Sequence, residues 1–276
     1  MAFRTRFAPS PTGYLHLGHA FSALTAFDSA RENGGAFILR IEDIDHTRCR
    51  AAFEAAIYED LGALGIAWPS PVLRQSDHLA DYQAALDRLR DLGVVYGDAR
   101  TRKGQAEAAL GAPQDGDAAG EGLAAPASAA PASAAPAWRL SLDAARRVLG
   151  TRYDALSFVE DGQGAQKATP EVNGDVVLGR KDIGVAYHLC VVVDDARQGI
   201  SHVIRGHDLY EATHTQVLLQ ALLDLPQPRY LHHALLLDDQ GRRLAKRKGS
   251  KALRDYFADG LTAADIRPLI TATPKQ

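Results

Sequence analysis

Two imidazoles, His16 and His19, stand three residues apart behind the turn Ala8-Pro9-Ser10-Pro11-Thr12-Gly13, with Leu17-Gly18 between them. A short apolar segment, Phe3 to Ala8, precedes the turn. Good helix formers with apolar residues at helical spacing, Ala20 to Arg31, follow it. The order is strand, loop, helix start. At such a junction backbone N–H groups and the positive end of a helix dipole face outward, a setting suited to phosphate. The imidazoles add donors, and Gly18 permits close approach of backbone and ligand. Taken alone, His-x-x-His is also the spacing of two surface residues or of half a metal site. A second charged loop far downstream, Gly241-Arg242-Arg243-Leu244-Ala245-Lys246-Arg247-Lys248-Gly249-Ser250, tips the reading toward a nucleoside triphosphate site.

The first stretch resembles the HIGH signature of class I aminoacyl-tRNA synthetases. Residues Arg243 to Arg247 resemble a degenerate KMSKS signature, with Arg243 for its first lysine, Ala245 for its serine and Lys246 retained. Arg6-Phe-Ala-Pro-Ser-Pro-Thr-Gly, Arg40-Ile-Glu-Asp-Ile-Asp45, the Tyr187 to Asp195 segment and Ile204-Arg-Gly-His-Asp208 are similar to the glutamyl branch of that family. The likeness covers roughly residues 3–103 and 181–258. It implies an α/β fold, a Rossmann-like doubly wound parallel sheet with a small insertion domain.

The same resemblance implies a glutamate pocket at Arg6, Ser10, Glu42, Tyr187 and Arg205. Free glutamate carries two carboxylates and one ammonium, so a selective pocket wants two cations and one anion. Arg6, Arg205 and Glu42 supply that set, and the arginine fork suits a carboxylate. Which arginine meets which carboxylate stays open. The positions matching the ATP site are Pro9, His16, Gly18, His19, Arg243 and Lys246. His16, His19 and Lys246 would be the catalytic residues, stabilising charge on the phosphates of ATP carried with Mg²⁺.

Beyond Lys251 only two short helices are expected, Leu253 to Ala258 and Ala263 to Ile270, with no C-terminal anticodon-binding domain. In this the chain resembles the short paralogues of the glutamyl branch, the glutamyl-Q tRNA(Asp) synthetases. That likeness implies transfer of activated glutamate to the queuosine base at the wobble position of tRNA(Asp), with the anticodon stem-loop as partner. Alternatives are another acceptor, such as tRNA(Glu) or a carrier protein, and a nucleotidyltransferase sharing the His-x-Gly-His site. The joint presence of Arg6, Glu42, Tyr187 and Arg205 speaks against the last. Short paralogues often carry zinc on a Cys-x-Cys after a tyrosine. Here Asp98 and Arg100 follow Tyr96, so no structural zinc is expected.

The elements that must position these residues alternate. Ala36 to Ile41 reads as a buried strand, Arg50 to Leu64 and Leu79 to Leu92 as helices, and His188 to Val193 as a second buried strand. Glu211 to Leu223 reads as helix and Tyr230 to Leu237 as strand. Near-continuous apolar strands between helices argue for a parallel sheet covered on both faces. The expected division is residues 1–103 and 181–258 as the two halves of the catalytic domain and 104–180 as the insertion. Within it 104–137 is an Ala/Pro-rich linker with almost nothing to bury, and 259–276 is a terminal helix and tail.

At 276 residues with a net charge of −3, the chain has no global positive field, so polynucleotide contact must come from local patches such as Arg242 to Arg254. Two distant cysteines, Cys49 and Cys190, argue against a disulfide framework. No signal-peptide core or membrane-spanning run is expected, and a cytoplasmic, monomeric protein follows.

Overall fold

The computed structural model describes residues 2–98, 136–180, 184–236 and 251–271. In chain order the elements are β1 (Arg4–Phe7), α1 (Leu17–Glu32), β2 (Ala36–Ile41), α2 (Ala51–Ala63), β3 (Leu73–Arg74), α3 (Leu79–Asp91) and β4 (Val95–Asp98). After the undescribed stretch come β5 (Ala137–Leu140), α4 (Leu142–Leu149), α5 (Thr151–Asp154), β6 (Ser157–Glu160), β7 (Gly164–Lys167), β8 (Val177–Arg180) and β9 (Gly184–Val185). The last group is α6 (Tyr187–Arg197), β10 (His202–Gly206), α7 (Tyr210–Leu222), β11 (Arg229–His233), α8 (Leu253–Ala258) and α9 (Ala263–Thr271). None of the described helices is long and apolar enough to cross a membrane.

Strands β1, β2 and β3 pair in parallel, with Arg4 opposite Ala36 and Arg40 opposite Leu73. Strands β10 and β11 also pair in parallel, and β6 joins the far side of β11 through Tyr230 and Glu160. The two groups meet where Ser201 N–H donates to the Arg4 carbonyl at 3.0 Å and Arg4 N–H to Ser201 Oγ at 2.8 Å. The order β3-β2-β1-β10-β11-β6 therefore reverses direction of travel between β1 and β10. In doubly wound sheets ligands sit at the carboxyl ends of the strands flanking such a reversal. A separate antiparallel sheet, β4-β5-β8-β9, lies beside it.

Local sequence accounts for most of these elements. In α1 the small residues Ala20, Ala23, Ala26 and Ala30 with Leu24 form the buried face, and Asn33 and Gly34 end the helix, Gly34 at φ +58°. Tyr82, Leu86 and Leu89 make the buried stripe of α3. The Ala/Pro-rich linker expected over 104–137 lies outside the described residues except at its end, where Ala137 begins β5.

Two expectations need correction. His188 to Val193 is not a strand but the body of helix α6. The run Val191-Val192-Val193 has the β-branched look of a strand, yet residues 188–192, 194 and 195 are all buried because α6 packs against both α3 and α7. A helix covered on every side shows no 3.6-residue alternation, so periodicity could not separate it from a buried strand. Strand β11 also stops at His233, short of the expected Leu237, because the chain leaves the sheet there to border the cleft described below.

Helix α6 carries Asp194 and Asp195 into the core under β1 and β2. Arg40, 0% exposed, donates to Asp195 Oδ1 at 2.8 Å, to Gln198 Oε1 at 3.1 Å and to Glu42 Oε1 at 3.0 Å. Arg6 grips the same Asp195 through Nε at 3.0 Å and Nη2 at 3.3 Å. Asp194 accepts from Gln75 and from the Tyr82 hydroxyl, each at 2.8 Å. Burial alone would raise the Asp195 pKa. The charges of Arg6 and Arg40 overcome that and hold it below the ordinary 3.8.

A carboxylate with a depressed native pKa stabilises the fold above its unfolded pKa, and that contribution fades as pH falls through the native value. Asp195→Asn, which keeps the shape and removes the charge, should lower the unfolding free energy near neutral pH by about 3–5 kcal/mol in urea denaturation. The difference from the native protein should shrink below pH 3.8. A loss under about 1 kcal/mol at neutral pH would contradict the role given to this pair.

Candidate active site

The reversal between β1 and β10 opens into a cleft of about 980 Å³, continuous with solvent. Its walls come from the end of β1, the loop after it, the first turn of α1, the end of β10 and the segment following β11. Arg6, Ser10, His16, Gly18, His19, Glu42, Tyr187 and Arg205 all line it, so eight of the expected site residues share one cavity. Pro9 does not line it. That residue is buried behind the wall, and its carbonyl accepts the Glu42 N–H at 3.1 Å, which ties the loop to the end of β2. Arg243 and Lys246 lie outside the described residues.

The histidines are held by the helix they begin. His16 is the N-cap of α1, and its Nδ1 accepts the Gly18 N–H at 3.1 Å. His19 returns the favour, its Nδ1 accepting the His16 N–H at 3.2 Å. This is a capping box built from two imidazoles. With Nδ1 of each ring accepting a backbone proton, each ring carries its own proton on Nε2, the donor form. The rings lie 3.9 Å apart between centroids. Gly18 is required by this packing, since a Cβ there would sit 2.9 Å from His16 Cε1. The helix N-terminus therefore presents a dipole and two imidazoles, their planes 38° apart, on one wall.

The opposite wall is organised by charge. Arg6 is already neutralised by Asp195. Glu42 lines the cleft beside it, held by Arg40 in a buried cluster with Asp194 and Asp195, and burial raises the Asp194 pKa above the ordinary 3.8. Arg205 differs. Its Nε donates to His232 Nε2 at 3.1 Å and its Nη2 to Thr213 Oγ1 at 2.7 Å, both neutral acceptors. Its third nitrogen, Nη1, is buried with no hydrogen-bond partner among the described residues. A buried guanidinium N–H without a partner is costly, and an incoming anion would remove that cost. Burial and then the Arg205 charge push the neighbouring His188 down to about 4, so it adds no positive charge.

Gly206 follows Arg205 where a Cβ would collide with Asp208 Oδ1 at 2.5 Å and Leu235 Cδ2 at 2.9 Å. On the α1 side His233 is fixed between Ser22 Oγ at 2.9 Å and the Ala234 carbonyl at 2.9 Å, its ring edge-on to Phe21. The chain leaves the described region at Leu236 on the cleft wall and returns beside His16, where Ala252 bridges to it and Leu253 N–H donates to the Leu15 carbonyl at 2.7 Å. Both anchors of residues 237–250 thus flank the cleft.

Sequence reading left out Asp195, Arg40, Thr213 and His232. The available signal for the first was an Asp-Asp pair inside an otherwise apolar, fully buried segment. Arg40 opens the Arg40-Ile-Glu-Asp motif already singled out, and nothing comparable marked Thr213 or His232. Among the described residues no group of three or more His, Cys, Asp or Glu could hold a metal ion. Asp98, at the expected place of the first zinc ligand, is instead buried against Arg139 at 2.8 Å.

The sequence profile described as tRNA synthetases class I (E and Q), catalytic domain, matches residues 2–268. The chain belongs to this family. Among class I synthetase relatives, the glutamyl-Q tRNA(Asp) synthetase of Rhodobacter capsulatus is 49% identical over 96% of this chain and 99% of its own length. That of Nitratidesulfovibrio vulgaris is 39% identical over 95% of this chain and 83% of its own. A solved glutamate tRNA ligase from Elizabethkingia meningosepticum, in complex with its amino acid, superposes with a TM-score of 0.65 at 25% identity. The match takes in 95% of this chain, which spans about half, 54%, of that ligase.

Gly18→Ala should displace the His16 ring from the N-cap. ATP affinity measured by titration calorimetry is expected to fall on the order of tenfold, equivalent to about 1.4 kcal/mol. Unchanged affinity would remove the capping box from the nucleotide site.

Proposed function

We propose that the cleft activates L-glutamate with ATP and transfers it to the queuosine base of tRNA(Asp). The observation that carries the reading is that Arg205, whose Nη1 finds no partner among the described residues, and Glu42 line the same cavity as a helix N-terminus capped by two donor imidazoles. A doubly acidic amino acid answers the first pair of features and a triphosphate answers the second. One carboxylate of glutamate takes Arg205, the ammonium takes Glu42, and Ser10 and Tyr187 offer hydroxyls to fix its orientation. Glutamine would leave the Arg205 charge unanswered, and a site of this kind discriminates by roughly 10⁴-fold.

In the first step an α-carboxylate oxygen bonds to the α-phosphorus while the bond to the bridging oxygen breaks, giving glutamyl-adenylate and pyrophosphate. The work is positioning and charge stabilisation. His16 and His19, as Nε2–H donors at the head of α1, contribute hydrogen bonds to phosphate oxygens and take no proton. Lys246 supplies positive charge to the departing pyrophosphate, a role supported by the placing of Leu236 on the cleft wall and of Ala252 beside His16, the two described positions that bracket it in sequence. Mg²⁺ enters with ATP as part of the substrate. In the second step an acceptor nucleophile attacks the activated carbonyl and AMP leaves. The queuosine assignment rests on the relatives' names together with a match running nearly the whole length of the Rhodobacter protein.

Labelled glutamate, ATP and tRNA from cells with or without queuosine should give tRNA labelling only when queuosine is present. Equal labelling of tRNA(Glu) without queuosine would overturn the acceptor and leave the activation step standing. His19→Ala should slow glutamate-dependent ATP–pyrophosphate exchange by about a hundredfold or more, the typical cost of one transition-state donor. A change of only two- or threefold would contradict its role.

A further inference from the structure

Arg205 stands on β10 directly opposite His232 on β11, and β6 brings Glu160 alongside from a stretch of chain that carries none of the expected site residues. A guanidinium can only donate, so the bond from Arg205 Nε at 3.1 Å requires a lone pair on His232 Nε2. The ring proton must then be on Nδ1, where it is donated to Glu160 Oε2 at 2.8 Å. The other Glu160 oxygen accepts the His232 backbone N–H at 2.7 Å. Both side chains are all but sealed from solvent, 1% and 2% exposed. Thr213 Oγ1 touches both Arg205 Nη2, at 2.7 Å, and His232 Nε2, at 3.2 Å, closing the ring of contacts.

The rings of Tyr210 and Tyr230 pack against His232 at 5.1 and 5.9 Å, and its plane has little room to turn. Burial, followed by the nearby Arg205 charge, pushes the His232 pKa down to about 2, which favours the neutral imidazole that the hydrogen bonds require. Glu160 thus selects the tautomer, the tautomer supplies the acceptor, and the acceptor with Thr213 consumes two faces of the guanidinium. Among the described residues only Nη1 is left without a partner.

We propose that Glu160 and His232 are positioning residues for glutamate, a relay that fixes the tautomer of His232 and thereby aims Arg205 Nη1 at a substrate carboxylate. The proposal rests on the glutamate reading above. Neither residue touches substrate, and neither bears on the nucleotide wall. Their loss should therefore be felt in glutamate binding and spare ATP.

Glu160→Gln is the sharpest test, because the side chain keeps its size and loses an acceptor. With the amide nitrogen toward Nδ1, the ring must move its proton to Nε2, against the Arg205 N–H. With the amide nitrogen toward the backbone, two N–H groups collide. In ATP–pyrophosphate exchange the variant should raise KM for glutamate about tenfold or more, with KM for ATP within twofold and kcat within threefold of the native values. His232→Leu should do the same. His232→Gln, whose carbonyl can stand where Nε2 stood, should recover most of the loss and decides the matter even if Glu160→Gln does not fold. A glutamate KM within twofold of native in the folded variants would overturn the relay. So would equal damage to the glutamate KM, the ATP KM and kcat in all three, the mark of a merely structural role. Native protein without glutamate-dependent exchange would instead refute the glutamate reading, and the relay with it.

Discussion

Asp195 is the point on which the site turns. Two arginines from adjacent parallel strands, Arg6 on β1 and Arg40 on β2, both donate to this one carboxylate on helix α6. Three buried charges in contact are stable only as a set, since removing one leaves the others desolvated without a partner. The set performs two tasks. It locks α6 to the first half of the sheet, and it decides which charges remain for a ligand. Arg40 makes its ion pairs with Asp195 and Glu42 inside the protein, fully buried. Arg6 reaches the cleft already paired, and Glu42, held by Arg40 at 3.0 Å, reaches it too.

The second half of the sheet solves the same problem in the opposite sense. Arg205 donates to neutral acceptors, and the imidazole of His232 stands between it and Glu160. The cleft thus carries a guanidinium with one N–H unpartnered among the described residues and a carboxylate, Glu42, the pairing on which the proposed glutamate site rests. The proposed phosphate recognition is separate in origin. It would draw on a helix N-terminus, with the two histidines turned into caps so that their remaining nitrogens donate. The two halves of the chemistry meet only because the sheet reverses between β1 and β10.

Much of this was legible in the residues. The strand Ala36–Ile41 and the helix Leu253–Ala258 lie where their patterns place them, because each shows one clear periodicity between turn residues. Eight of the lining residues were also readable, because they fall on motifs that resemble the glutamyl branch of the family. What was not legible has a common cause. Helix α6 is buried on all faces and shows no amphipathic signal. Asp195, His232 and Glu160 act through other side chains, and such pairings depend on strand register, which a single chain does not display. His16 and His19 read as donors, but their mutual capping is a consequence of helix geometry. Arg243 and Lys246 fall outside the described residues, so their part rests on the chain ends that flank the cleft.

The most direct measurement is a crystal structure of the protein with a non-hydrolysable analogue of glutamyl-adenylate. The account predicts a glutamyl carboxylate on Arg205 Nη1, the ammonium within ion-pair distance of Glu42, the phosphate mimic at the head of α1, and the Arg6–Asp195–Arg40 cluster unchanged. A glutamyl moiety bound away from Arg205, or Arg205 turned to pair with a carboxylate of the protein itself, would contradict it.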